Sequence, residues 1–373
     1  MIVDPHVHLR DWDEKGKETL YHGLETALLC GVGAVFDMPN CSPPLVGEAA
    51  VLRRLEDARA ASIRLSADRG GAPVPFYAIY GGLTAEEKQI REIVGLHRRL
   101  FPSVAGLKLF AGKSTGGLAV SGTDEQRRVW EILAESGYTG VVAVHCEKEE
   151  LFRPELWDSR IPASHSLARP EEAERASAAD QIAFASDACF RGTLHICHIS
   201  APETLELVRV FRAEKGKHSF RISCGATPHH LLLDSSMVPD GPEGLLLKVN
   251  PPLRGRKSRQ SLLAALFDGT VDWIESDHAP HTPREKSFSC ASGLPSLTAW
   301  PLLVSRLRLM GMSEEMLCRV SGHRVLEVFG MHPVSALEAD SAAEAAEKVS
   351  GITDRYPANG WHILDPDPAA GTD

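Results

Sequence analysis

The 373-residue sequence predicts a closed parallel α/β barrel, and three observations carry that prediction. Short apolar runs, rich in β-branched or aromatic residues, recur eight times. Each is followed by a polar or glycine-bearing loop and then by a stretch with helical periodicity. The residues with ligand chemistry fall at the ends of those runs. Strands alternating with helices pair in parallel, and eight of them make a (β/α)8 barrel more readily than an open sheet.

In order, the strands are "MIVD" (1–4), "AVFDM" (34–38), "PFYAIY" (75–80), "GLKLF" (106–110), "VVAVH" (141–145), "TLHICH" (193–198), "SFRISC" (219–224) and "VDWIESD" (271–277). Between them the apolar spacing changes to the helical period in "GLETALLCG" (23–31), "EEKQIREIVGLHRRLF" (86–101), "DEQRRVWEILAESG" (124–137) and "APETLELVRVFRAEKG" (201–216). Residues 1–333 are thus expected to form one barrel domain. From 334 the composition shifts to "VSALEADSAAEAAEKVSG", a C-terminal extension over 334–373 that reads as partly helical or loosely ordered. Its closing "DPDPAAGTD" has turn formers and little to bury, so it should fray.

Composition narrows the function. A chain of this length buries an ample core without staples. The formal net charge of −10 and the lack of clustered Lys and Arg argue against a nucleic-acid partner and favour a small-molecule substrate. The eight cysteines form no CxxC pair, and several sit in apolar stretches, which suits a reducing, cytoplasmic setting. No signal-like start and no run of about 18 apolar residues is present, so a membrane partner is not expected.

On this strand map the chemistry gathers at one end. His6 and His8 follow strand one, Lys108 lies in strand four, His145 ends strand five, His198 ends strand six and Asp277 ends strand eight. The carboxyl ends of barrel strands converge on one mouth, so residues distant in sequence become neighbours there. Residues two apart on an extended strand share a face, so His6 and His8 can hold one ion together. Taken singly, an HxH pair also arises in a polar terminus, and His145 alone reads as a satisfied core histidine; the conjunction points to a metal centre. In "TLHICHIS" the position at the strand end favours His198 over His195, which is expected to pack between strands. His229 and His230 of "PHHL" read as structural or supporting. The stretch "AGKSTGG" (111–117) lacks the spacing of a phosphate loop, because position 107 is leucine, and is expected to be a mobile loop over the mouth. Lys108 is out of character beside cations. By itself it reads as a stem lining the strand with its head toward solvent; as a carbamate it would instead carry negative charge.

With these residues placed, the chain resembles the dihydroorotases of the amidohydrolase superfamily, which are TIM barrels. The motifs are "DPHVHLRDW" (4–12), "DMPNCSPP" (37–44), "GLKLFAGKS" (106–114), "VHCEKEE" (144–150), "HICHIS" (195–200), "KVNPPLRG" (248–255) and "ESDHAPHTPREK" (275–286), spanning about residues 1–330. The resemblance implies reversible, zinc-dependent cyclisation of N-carbamoyl-L-aspartate to L-dihydroorotate in pyrimidine biosynthesis. It implies two Zn2+ ions, the more buried on His6, His8 and Asp277, the more exposed on His145 and His198, bridged by carbamylated Lys108 and a hydroxide. It gives Arg10, Asn40 and His281 to the substrate carboxylate and makes Asp277 the proton-transferring residue. The chain looks like the lysine-using type without an N-terminal β-sandwich, although Glu275 stands where relatives tend to have a small residue. It either points into the barrel or is turned away by a bulge.

Two other readings follow from the same family. Hydantoinases, dihydropyrimidinases and allantoinases share the metal set, but Arg10 and Asn40 suit a substrate with a side carboxylate. Some dihydroorotase-like chains are noncatalytic partners of aspartate transcarbamoylase; the full ligand set here favours an enzyme. Association with that partner, or a homodimer, is compatible with the resemblance.

Overall fold

A computed structural model describes residues 1–332 and 356–361. Eight parallel strands run in the order β1-β2-β3-β4-β5-β6-β7-β8, with β1 at Ile2–Val7, β2 at Val32–Asp37, β3 at Phe76–Gly82, β4 at Val104–Ala111, β5 at Val141–Cys146, β6 at Thr193–Ile196, β7 at Arg221–Ala226 and β8 at Trp273–Ile274. The barrel nearly closes: Val7 bridges His278 in parallel, and the His8 N–H donates to the His278 carbonyl at 2.7 Å.

Every strand but one returns through a long helix: α1 (Leu20–Leu29), α2 (Glu48–Asp68), α3 (Glu87–Leu100), α4 (Thr123–Glu135), α5 (Glu171–Asp187), α6 (Pro202–Ala213) and α7 (Arg256–Phe267); α8 (Trp300–Leu309) follows β8. Their sequences explain the packing. In α3, Ile90, Ile93 and Val94 recur at helical spacing and are buried while Glu87, Arg91 and Arg98 face outward. In α4, Val129, Trp130, Ile132 and Leu133 do the same. The side chain of Thr19 accepts from the His22 N–H and starts α1. All eight residues of β4 are buried, as in a parallel sheet covered on both faces. The N-terminal end of the barrel is plugged by Phe329, whose ring meets those of Phe36, Tyr80 and Trp273 at 5.2, 6.1 and 6.1 Å.

The sequence predicts a longer eighth strand, over 271–277, and here the ladder ends early for a physical reason. Beyond Ile274 the Ser276 N–H donates to the Asp4 side chain, Oδ1, at 3.0 Å instead of to a backbone carbonyl of a neighbouring strand, and Asp277 takes a left-handed φ of 49°. Asp4 also accepts from Trp300 Nε1 at 2.8 Å, so one buried carboxylate closes the seam between β8, β1 and α8. Strand seven lies two residues later than the predicted 219–224.

Most of the extension expected over 334–373, including the closing 365–373, lies outside the described residues. Its residues 356–361 pack on the barrel: Tyr356, Asn359 and Trp361 are buried. The Tyr356 hydroxyl donates to Glu18 and lies 3.1 Å from the Thr26 hydroxyl, and Trp361 joins Leu247, Val249 and Leu294 in a small apolar cluster. No helix among the described residues is long and apolar enough to cross a membrane.

Candidate metal centre and substrate cleft

A cleft of about 380 Å3 opens at the carboxyl ends of the strands, lined by His6, His8, Lys108, His145, His198 and Asp277 together with Arg10 and Asn40. All six residues expected as ligands therefore meet in one place. They fall into two groups. Asp277 Oδ1 lies 3.0 Å from His8 Nε2 and 3.3 Å from His6 Nε2, and the three ligand atoms lie within 4.8 Å of one another. In the second group, His145 Nδ1 and His198 Nε2 point at each other across 3.2 Å. The His6 ring connects the groups, with its centroid 5.2 Å from that of His198.

Local backbone geometry places these side chains. His6 is the penultimate residue of β1, where all but the first residue are buried. His145 pairs with Phe110 across the β4–β5 ladder, and Lys108 with Ala143, so Lys108 and His145 emerge at neighbouring levels. Arg10, His198 and Asp277 have φ values of 46, 37 and 49°, a left-handed conformation that side-chain-bearing residues adopt at a cost. Three site residues thus sit on strained turns just past their strands.

At three of the four histidines, His8, His145 and His198, the electrostatics favour free imidazole lone pairs. Burial pushes His8 down to about 4 against the opposing pull of Asp277. It likewise lowers His145, and takes His198 well below its usual value, helped by His145, His6 and Lys108. His6 goes the other way: burial and Lys108 push it down, yet Cys197 and Glu275 carry it up to about 10. Asp277 is held below the usual carboxylate range, because the imidazoles of His8 and His6 outweigh its burial. Two further contacts orient the rings. His8 Nδ1 lies 2.7 Å from Asn40 Oδ1, which leaves Nε2 facing Asp277. His145 Nε2 lies 3.1 Å from Glu147 Oε2, a close contact without hydrogen-bond geometry, and Arg169 in turn pairs with Glu147.

This donor set fits metal ions. Neutral imidazoles and an ionised carboxylate are the ligands that zinc takes, and His198 Nδ1 and His6 Nδ1 are buried without hydrogen-bond partners among the described residues, leaving the opposite nitrogens as the ones aimed into the centre. Lys108 is fully buried; its amine donates to Cys197 Sγ at 3.1 Å, and no carboxylate pairs with it among the described residues. Its head therefore does not reach solvent, which the stem-lining alternative required.

The residues expected at the substrate separate. Arg10 lines the cleft. Asn40 lines it too, but both ends of its amide are engaged: Oδ1 faces His8, and Nδ2 donates to the Thr115 carbonyl at 2.7 Å. His281 is not on the cleft wall; it stands behind Arg10, with Nε2 3.4 Å from Arg10 Nη2 and 3.0 Å from the Ser292 carbonyl. His195 lies below the centre, stacked on Trp273 at 4.3 Å, and His230 Nε2 lies 3.0 Å from the Pro251 carbonyl. The sequence reading gave no role to Asn250, Ser114, Thr115, Ser292 or Gly293, which also line the cleft. The signal was present for Asn250, inside "NPPLR", and for Ser114 and Thr115, inside the loop assigned to the mouth; nothing local marks Ser292.

No protein-family model matches the sequence. Curated relatives do. The dihydroorotase of Brevibacillus brevis is 34% identical over 316 residues, 82% of this chain and 67% of that protein. The dihydroorotase of Halobacterium salinarum is 30% identical over 334 residues, 88% of this chain and 71% of its own length. The chain belongs to the dihydroorotase family. It spans roughly two thirds of the length of the curated relatives it matches. Among solved structures, an L-hydantoinase from Arthrobacter aurescens superposes with a TM-score of 0.74 at 24% identity, over 89% of this chain and 71% of that one. A dihydroorotase from Campylobacter jejuni does so with a TM-score of 0.64 at 18% identity, over 90 and 84%. These likenesses establish the barrel fold. The choice within the dihydroorotase family is made by the sequence relatives.

Proposed function

We propose that the chain is a dihydroorotase, the name its curated relatives carry: a metal-dependent cyclic amidohydrolase that interconverts N-carbamoyl-L-aspartate and L-dihydroorotate. The observation that carries this reading is the convergence of His6, His8, Lys108, His145, His198 and Asp277 on one cleft with a buried arginine on its wall. His6, His8 and Asp277 would hold one zinc ion, and His145 and His198 the other. Lys108, as a carbamate, would bridge them. When bound, the pair of cations supplies a nucleophile at neutral pH and polarises the amide under attack.

The protein's own groups do the rest. Arg10 presents a planar fork to the substrate's side carboxylate, and His281 and the Pro280 carbonyl, 3.3 Å from Arg10 Nε, hold that fork in place. Asp277, ionised and at the centre of the cleft, takes the proton of the attacking nucleophile and delivers it to the departing ring nitrogen. In the biosynthetic direction it removes a proton from the ureido nitrogen. Asn40 joins His8 to Thr115, two residues of the cleft lining, and so fixes the position of each. All eight cysteines are free, as the reducing cytoplasm we propose for this enzyme would keep them.

A hydantoinase-type specificity is the competing reading, and the solved neighbours share its fold. Arg10 weighs against it, because a substrate lacking a side carboxylate leaves a buried guanidinium without its partner. The test is turnover of L-dihydroorotate, hydantoin and allantoin by the purified protein, with and without added zinc and bicarbonate. Dihydroorotate should be preferred by orders of magnitude; preference for either of the others would overturn the assignment.

A further inference from the structure

One buried carboxylate beneath the cleft has no part in the reaction just described. Glu275 is two residues before Asp277 and 1% exposed, and of the two orientations open from sequence it takes the inward one. Its Oε1 accepts the main-chain N–H of His198 and lies 3.6 Å from His6 Nδ1. Its Oε2 accepts from Trp273 Nε1 at 3.0 Å and lies 2.9 Å from His195 Nε2. Space for it is made on the neighbouring strand: a Cβ at position 225 would stand 2.5 Å from the Glu275 carboxyl carbon, so any side chain there would displace the carboxylate from this position. A buried ionised group is costly unless paired and hydrogen-bonded, and here the partners include one ligand from each half of the centre.

We infer that Glu275 is a positioning residue for the metal centre. Its negative charge, 3.6 Å from His6 Nδ1 and not hydrogen-bonded to it, favours the ring tautomer with the proton on Nδ1 and leaves the Nε2 lone pair directed at Asp277 and the ion. Through the His198 N–H Glu275 pins the left-handed turn from which the His198 ring reaches the second ion. A carboxylate behind a ligating imidazole fixes its tautomer and raises its basicity, and its loss typically weakens metal affinity about 10- to 100-fold. The inference rests on the metal-centre reading above. A different assignment, in which His6, Cys197 and Glu275 themselves hold an ion, has the ligand atoms within reach. Two facts oppose it: the Lys108 amine is 3.1 Å from the Cys197 sulfur, and His6 already directs its other nitrogen to the main centre.

The experiment is zinc titration of the full-length protein against a chromogenic chelator, comparing wild type with Glu275→Gln, which keeps volume and one acceptor oxygen but not the charge. Zinc affinity should fall about 10- to 100-fold. An affinity within twofold of wild type would sink the role of Glu275 alone, whereas failure of the wild type to take up zinc would sink the metal-centre reading and this one with it. Should Glu275→Gln not fold, Glu275→Asp, which keeps the charge but shortens the reach, decides: zinc affinity at least about tenfold below wild type is expected, and an affinity within twofold of wild type overturns the inference.

Discussion

At the scale of single residues, Asp277 and Arg10 divide the work between chemistry and recognition. Asp277 touches two imidazoles at 3.0 and 3.3 Å, so an isosteric amide there keeps the shape of the site but not the proton acceptor. Asp277→Asn should fold and retain bound metal while kcat falls by about 10²- to 10⁴-fold, the usual worth of a positioned general base. Stopped assays on dihydroorotate measure it, and turnover near wild type would remove the proposed shuttle. Arg10→Met should act on binding: loss of even one charge-assisted bond to the substrate carboxylate is worth about 1.5–3 kcal/mol, which raises KM by at least about 10- to 100-fold. Binding of a neutral cyclic amide should hardly change, and an equal loss for both would place Arg10 away from the carboxylate.

At the scale of elements, α2 fixes the segment that presents Arg10. Residues 10, 11 and 12 all have positive φ, at 46, 65 and 49°, an uncommon run for side-chain-bearing residues that neighbouring structure must enforce. Arg54 of α2 enforces it: Nη1 donates to the Arg10 carbonyl at 2.9 Å, and Nη2 pairs with Asp37 of β2 at 2.6 Å. Asp37 in turn accepts from the Leu9 N–H at 2.9 Å and from the Tyr77 hydroxyl at 2.6 Å. Arg54 and Asp37 are both fully enclosed, so Arg54→Met strands a buried carboxylate. Urea unfolding should show a loss of about 3–5 kcal/mol, and the KM for substrate should rise with it. A loss under 1 kcal/mol would mean that water reaches Asp37.

At the scale of the whole molecule, ions and protons couple to folding. A metal bound only by the native barrel stabilises it by mass action, by about 4 kcal/mol when free zinc exceeds Kd a thousandfold, so stripping the protein with a chelator should lower Tm and re-adding zinc should restore it. An unchanged Tm would argue that the six ligands are not gathered around an ion. For protons, His165 is informative because it lies outside the ligand set. Its ring is buried against Trp157, 2.8 Å from Asn250 Oδ1, and burial together with Lys248 pushes it down to about 3. A histidine kept neutral in the fold contributes stability that is full above its unfolded value near 6.5 and is lost as pH falls toward 3, since the unfolded chain takes up the proton first. Between those limits stability should rise with pH, and in His165→Gln the slope should be shallower by up to about 1.4 kcal/mol per pH unit. Parallel slopes for the two proteins would show that His165 titrates normally.

The sequence by itself determined the architecture and the ligand candidates. Eight apolar runs separated by helical periods define a barrel because strand and helix periods differ, and strand-end position nominates His6, His8, His145, His198 and Asp277 because all carboxyl ends share one mouth. Local pattern also separates His198 from His195, which lies beneath the centre against Trp273. What only the tertiary structure decided are contacts between side chains far apart in the chain, for which no local period exists. It turned Glu275 inward because Gly225, on another strand, leaves room. It drew Asn40 to His8 and Thr115, and set His281 behind Arg10, because those distances depend on how three loops stack over the same rim. It also shortened β8, since Asp4, at the far end of the sequence, offers Ser276 a stronger acceptor than the ladder does.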